Sequence, residues 1–139
     1  MKKIYYVIAA ALAAVLLACY AVFADEEGEI TAFLNNVGYE VSERPIEREE
    51  IRIPKPLDLV FESYNRIQKK SGFDLKPYEG REGIRYTYEV KNYPGGIDGV
   101  RANVIVIGGE IVGGDICTVR IDGFMHGLRE GKEGDWGKR

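Results

Sequence analysis

The 139-residue sequence contains one histidine (His126), one tryptophan (Trp136) and two cysteines (Cys19 and Cys117). Each scarcity excludes something. Cys19 lies in a hydrophobic leader and Cys117 in an expected strand far along the chain, so the domain must hold together without an internal disulfide. Cys117 reads first as a small buried apolar residue, with a reactive thiol as the alternative. A single histidine and a buried cysteine make a poor transition-metal site. A nucleophile–base pair would require Cys117 and His126 to meet, with a third group orienting the ring. A strand end separates them, and His126 reads instead as part of a terminal loop, GFMHGL.

A surplus of positive charge is also missing. All 22 acidic residues follow position 24, whereas Lys2 and Lys3 are two of the 19 basic ones; the remainder carries 17 basic against 22 acidic groups, a net charge of −5. Such a balance does not suit phosphate neutralisation, so nucleic acid is not an expected partner. Anionic lipid headgroups gain nothing from it either. The glycines form neither the dinucleotide fingerprint nor the P-loop pattern. Gly108-Gly109-Glu110-Ile111-Val112-Gly113-Gly114 has no lysine and leads into a strand rather than a helix. Asp74, Asp98, Asp115 and Asp122 lack the dense spacing of a calcium loop, and Asp98-Gly99 and Asp122-Gly123 read as turns. No catalytic, metal-binding or cofactor-binding residue is assigned, and no cofactor is expected.

What is present begins with residues 1–24, MKKIYYVIAAALAAVLLACYAVFA, followed at once by Asp25, Glu26 and Glu27. Two lysines precede 21 uncharged, mostly apolar residues from Ile4 to Ala24. That length suffices to cross the hydrocarbon core, and the lysines favour the cytoplasmic side. Three fates compete. An uncleaved anchor leads, with Tyr5, Tyr6, Tyr20 and Phe23 resembling interfacial aromatic belts. Cleavage after Ala24 is second, its apolar region being longer than a signal peptide needs. Lipidation at Cys19, within Leu16-Leu17-Ala18-Cys19, is third, because Tyr20-Ala21-Val22-Phe23 keeps the chain apolar beyond the cysteine. In each case residues 25–128 form a domain outside the cytoplasmic membrane, and residues 129–139 a polar tail that is expected to be disordered, Trp136 included.

Within that domain, Ile30, Phe33, Leu34 and Val37 share one helical face, ended by Gly38. Tyr39–Ser42 and Glu50–Ile53 read as short strands, and Glu43–Glu50 as a turn or exposed edge. Pro56–Ser71 is the clearest helix, with Leu57, Val60, Phe61, Tyr64 and Ile67 as one apolar stripe taken for core. Ile84–Lys91 alternates, placing Ile84, Tyr86, Tyr88 and Val90 opposite a wet face of Arg85, Thr87, Glu89 and Lys91. Val100–Ile107 and Glu110–Arg120 follow, joined by Gly108-Gly109 as a hairpin turn. Gly113-Gly114 suggests a bulge or the close approach of a helix. The expected fold is α+β: an antiparallel sheet, a three-stranded meander plus one or two short strands, covered by an amphipathic helix and preceded by the leader helix. Among the nine tyrosines, Tyr78, Tyr86, Tyr88 and Tyr93 cluster around one strand, as packing first and a recognition surface second.

Taken in order, the segments IRIP, LVFESYNRIQKKSGFDLKPYEG, RYTYEVKNYP, VRANVIVIGGEIVGGDI and GFMHGL resemble a family of small exported or membrane-anchored bacterial proteins, catalogued as domain of unknown function number 4830. The likeness runs from about Ile30 to Leu128. It implies a small α+β domain at the cell envelope and brings no activity or catalytic residues with it. The functional expectation is a non-enzymatic binding or interaction module, held to the membrane by its amino-terminal segment and open to an envelope protein partner. The alternatives are a small envelope hydrolase, using Asp115 or the Cys117–His126 pair, or an inhibitor or sensor of an envelope peptidase.

Overall fold

The structure, a computed structural model, describes residues 1–129. Its first element, α1 (Lys2–Val37), is one uninterrupted helix of 36 residues that carries the apolar leader straight into the domain. The leader portion is long and apolar enough to span a membrane, with a mean hydropathy of 2.6 over a window that is not buried against the rest of the molecule. The lower part of α1 behaves differently. Ile30, Leu34 and Val37 fall one or two turns apart on one face and are buried. Gly38 ends the helix with φ 110°, donating to the Asn35 carbonyl while Tyr39 donates to Leu34. This is the paired bonding of a left-handed helix stop.

The strands are β1 (Glu47–Arg52), β2 (Glu82–Glu89), β3 (Val100–Ile107), β4 (Glu110–Thr118) and β5 (Met125–His126). They form one antiparallel sheet in the order β1-β2-β3-β4-β5. The fold is α+β, with the expected meander extended by one strand at each side. Tyr39–Ser42 contributes a single bridge, Val41 to Val90, rather than a strand. Pairing with β2 draws residues 47–49 of the expected turn into β1. The pair Met125–His126, expected in a loop, bonds to Cys117 and Ile116 as β5.

The second helix, α2 (Leu59–Lys70), starts three residues later than its proline suggested. Asp58 sets the start, its carboxylate accepting from the Phe61 amide at 2.8 Å. Lys69 and Lys70 occupy the last turn, and the chain leaves through Gly72 and Phe73 with the same bonding pattern as at Gly38 and Tyr39. The two helices thus end in the same way.

Strand alternation gives the sheet two unlike faces. On one, Tyr86 and Tyr88 of β2, Val100, Ala102, Val104 and Val106 of β3, and Ile116 of β4 pack under Ile30, Leu34 and Val37 of α1. Tyr86 and Tyr88 are fully buried, so this tyrosine pair is core and not a recognition surface. The Tyr86 hydroxyl donates to Glu26 at 2.7 Å and receives Arg48 at 3.3 Å, which ties α1 to the sheet where the helix meets it. On the other face, α2 packs over a smaller cluster of Ile53, Leu75, Ile105, Ile107 and Val112. The amphipathic α2 thus covers the sheet as expected, on the face opposite the tyrosines. The α1 helix covers the tyrosine face, because its Ile30-Leu34-Val37 stripe meets that side of β2.

The Gly113-Gly114 step meets both of its sequence expectations. Register shifts between Ile105 and Val106 opposite it, and α2 comes so close that Gln68 Oε1 accepts from the Gly114 amide at 2.7 Å. A Cβ on Gly113 would stand 2.7 Å from that same oxygen. Arg129, at the start of the expected tail, bonds to Ser71 and lies over the rings of Phe33 and Phe73. The rest of that tail, with Trp136, lies outside the described residues.

At Gly114 a Cβ would meet the Asn103 carbonyl oxygen at 2.1 Å and Leu128 at 2.8 Å. Backbone on the neighbouring strand has no way to yield, so Gly114→Ala should cost about 3 kcal/mol or more, as severe overpacking does. Chemical unfolding of the full chain measures this; a loss below about 1 kcal/mol would mean that β3 and β4 are not packed as described.

Candidate binding cleft

Only part of α2 lies flat on its face of the sheet. Gln68 and Asn65 are buried, and Asn65 clamps the following loop by donating to Asp74 at 2.8 Å and accepting from the Leu75 amide at 2.7 Å. Toward its amino terminus, Phe61 and Tyr64 still pack on the cluster beneath, but Leu59 and Val60 are exposed. Val60 is 74% exposed although it belongs to the stripe that the sequence marks as core. The space beneath is a cleft of about 650 Å³, walled by Phe61, Tyr64 and Ile67 of α2 and by Ile51 and Ile105 of the sheet. Its mouth carries Ile46, Val119 and Met125, each at least half exposed. Clefts of this size and composition take small ligands.

The floor is polar. Register sets Glu47, Thr87, Asn103 and Asp115 side by side across β1 to β4, all on the cleft face. Thr87 Oγ1 donates to Asn103 Oδ1 at 2.7 Å, and Asn103 Nδ2 donates to Asp115 Oδ2 at 3.1 Å. Tyr64 Oη reaches down from α2 to donate to Asp115 Oδ1 at 2.5 Å. Asn103 Nδ2 also lies 3.4 Å from Cys117 Sγ. Both oxygens of Asp115 are thus engaged, and the floor network largely satisfies itself.

Burial dominates the electrostatics here. It raises the Asp115 carboxyl above its ordinary value, while hydrogen bonds from Tyr64 and Asn103 and the charge of Arg85 act against the rise. Burial, reinforced by the Asp115 charge and hydrogen bond, pushes the Tyr64 phenol well up, so Tyr64 stays a donor. The Cys117 thiol is raised by burial and then by Asp115, which disfavours the nucleophilic thiolate. Reactive-thiol chemistry is therefore poorly served at Cys117.

His126 is placed away from this cluster. It stands opposite Ile116 in the β4–β5 register, while Cys117 stands opposite Met125. Neighbouring strand positions face opposite sides, so His126 and Cys117 lie on opposite faces of the sheet and do not form a pair. His126 Nδ1 donates to the Gly127 carbonyl at 2.8 Å, which leaves Nε2 to accept from the Tyr93 hydroxyl at 2.8 Å. Its ring stacks on Phe124. Asp98 and Asp122 are exposed in loops, and Asp74 is used by Asn65 and the Lys76 amide, which hold its carboxyl below the ordinary range. Among the described residues, no group of three or more His, Cys, Asp or Glu could hold a metal ion.

Of the sequence candidates, only Asp115 and Cys117 come together. Tyr64, Thr87, Asn103 and Arg101 join them without having been singled out. The available signal was polar residues at alternate positions of two strands, Arg85 and Thr87, then Arg101 and Asn103. Placing them in one row requires the register, which no single strand contains.

The molecule is thus a small α+β domain with a ligand-sized cleft, continuous with a helix that is long and apolar enough to span a membrane. It belongs to the family described as Domain of unknown function (DUF4830), which matches residues 33–116, more than half of the chain. The match includes α2, β2, β3 and Asp115. No curated protein and no solved structure matches the chain.

Because the folded state holds Asp115 with a raised pKa, its stabilising contribution is full below the unfolded value of 3.8 and is lost as pH rises through the folded value. Asp115→Asn removes this titration. The stability of wild type minus variant should fall as pH is raised from about 3.8, with denaturant unfolding at several pH values as the measurement. A difference that stays flat or grows would show that Asp115 is not held as described.

Proposed function

We propose that this chain is a non-enzymatic binding domain displayed on the extracytoplasmic side of a membrane, with its ligand seated in the cleft under α2. The cleft itself carries the reading: wet apolar walls over a polar floor that is hydrogen-bonded within itself. A floor of this kind orients a ligand without offering a free nucleophile or base. The hydrolase alternative loses its Cys117–His126 pair and keeps only Asp115, whose two oxygens are already engaged.

Lys2 and Lys3 ahead of the apolar helix support an inward amino terminus and an outward domain. Retention of the helix as an anchor is the favoured route. Cleavage after Ala24 or lipidation at Cys19 would leave the binding unit intact, because among the described residues the first buried one in α1 is Ile30. An envelope protein or a small molecule in that compartment are the candidate occupants.

Photocrosslinking in living cells tests this reading. A photoreactive residue replacing Val60 at the mouth should give a discrete adduct that disappears when Ile105→Trp fills the cleft. The same residue replacing exposed Asn36 on α1 should not give it. Identical adducts from both positions, or none from Val60, would contradict a ligand-binding cleft.

A further inference from the structure

The charged groups around the cleft are unequally satisfied. Asp115 has two donors, and Glu49 is bonded to Arg85 Nη2. The cations are less well served. Arg85 Nε is buried without an acceptor, and the side chain of Arg101, half-buried and lining the same cleft, makes no hydrogen bond or ion pair among the described residues. Glu89 stands opposite Arg101 in the β2–β3 register but is exposed and does not pair with it, and Glu47 sits at the exposed rim. Donors without acceptors therefore face a space whose walls are mostly aliphatic.

We infer that the ligand is a single-chain aliphatic carboxylate, its tail lying between α2 and the sheet and its headgroup on Arg101. This rests on the cleft being a binding site. Guanidinium presents N–H groups in a planar fork that matches a carboxylate. The apolar tail would cover Phe61, Ile67 and Met125, which are partly exposed, and lie against the buried Ile105. Neither a cation nor a nucleic acid fits, since the engaged Asp115 offers little to the first and two arginines are too few for the second.

The two methionines, Met1 and Met125, make the test direct. Met125 lines the mouth of the cleft and Met1 is at the far end of α1, so methyl-labelled methionine gives one reporter and one control. The full chain is placed in phosphatidylcholine nanodiscs and titrated with octanoate, octanol or octylamine at matched free concentrations. Octanoate should shift the Met125 signal saturably, leave Met1 unmoved, and bind at least about tenfold more tightly than octanol or octylamine, as one charge-assisted contact allows. Arg101→Gln should reduce octanoate to the level of octanol, and Arg101→Lys, which keeps the charge but not the fork, should retain only part of the preference. Equal binding of octanoate and octanol, unchanged by Arg101→Gln, would overturn the carboxylate while leaving the cleft a binding site. No saturable Met125 shift with any probe would overturn both.

Discussion

Two hydrogen bonds between α2 and β4 determine how this domain is built. Gln68 accepts from the Gly114 amide, and Tyr64 donates to Asp115, joining elements about fifty residues apart in the chain. The first bond is possible because Gly113 has no side chain to hold the helix away. The second is made through a phenol, at the side of the cleft. Beside these two contacts, the polar row of Thr87, Asn103 and Asp115 lines the floor of the cleft. Leaving any of these buried groups without its partner would cost on the order of 1–3 kcal/mol, so the arrangement resists collapse.

The sheet separates two tasks. Its α1 face is a closed core in which even the tyrosines are fully covered, and the Tyr86–Glu26 contact fixes the domain to the helix that emerges from the apolar leader. The opposite face is only partly roofed. The α1 helix runs continuously from leader to core. Under the proposed reading, with the leader retained, this continuity would hold the cleft at a set angle to the anchor.

Much of this was legible in the sequence, and what was missed has one physical origin. The β3 strand, the hairpin at Gly108-Gly109 and the close approach at Gly113-Gly114 depend on local residue types, and all appear where those types occur. The assignment of helices to faces was not legible. Both α1 and α2 carry apolar stripes, and nothing local states which stripe meets Tyr86 and Tyr88. In α2, Val60 and Ile67 have the spacing of core residues yet line an open space. Arg101 and Asn103 look like the ordinary wet side of a strand until pairing sets them beside Thr87, Asp115 and Cys117. A site assembled from four strands and a helix exists only in the register.

The most direct test of this account is a double-mutant cycle on the Tyr64–Asp115 bond itself, with Tyr64→Phe, Asp115→Ala and the double variant compared by chemical unfolding at neutral pH. If the hydrogen bond holds α2 over the sheet as described, the two single losses will not add. The coupling should be about 1–3 kcal/mol, the worth of a buried bond to a charged group. Additive losses, with a coupling within about 0.3 kcal/mol of zero, would mean that Tyr64 and Asp115 do not meet and that the cleft is not formed in this way.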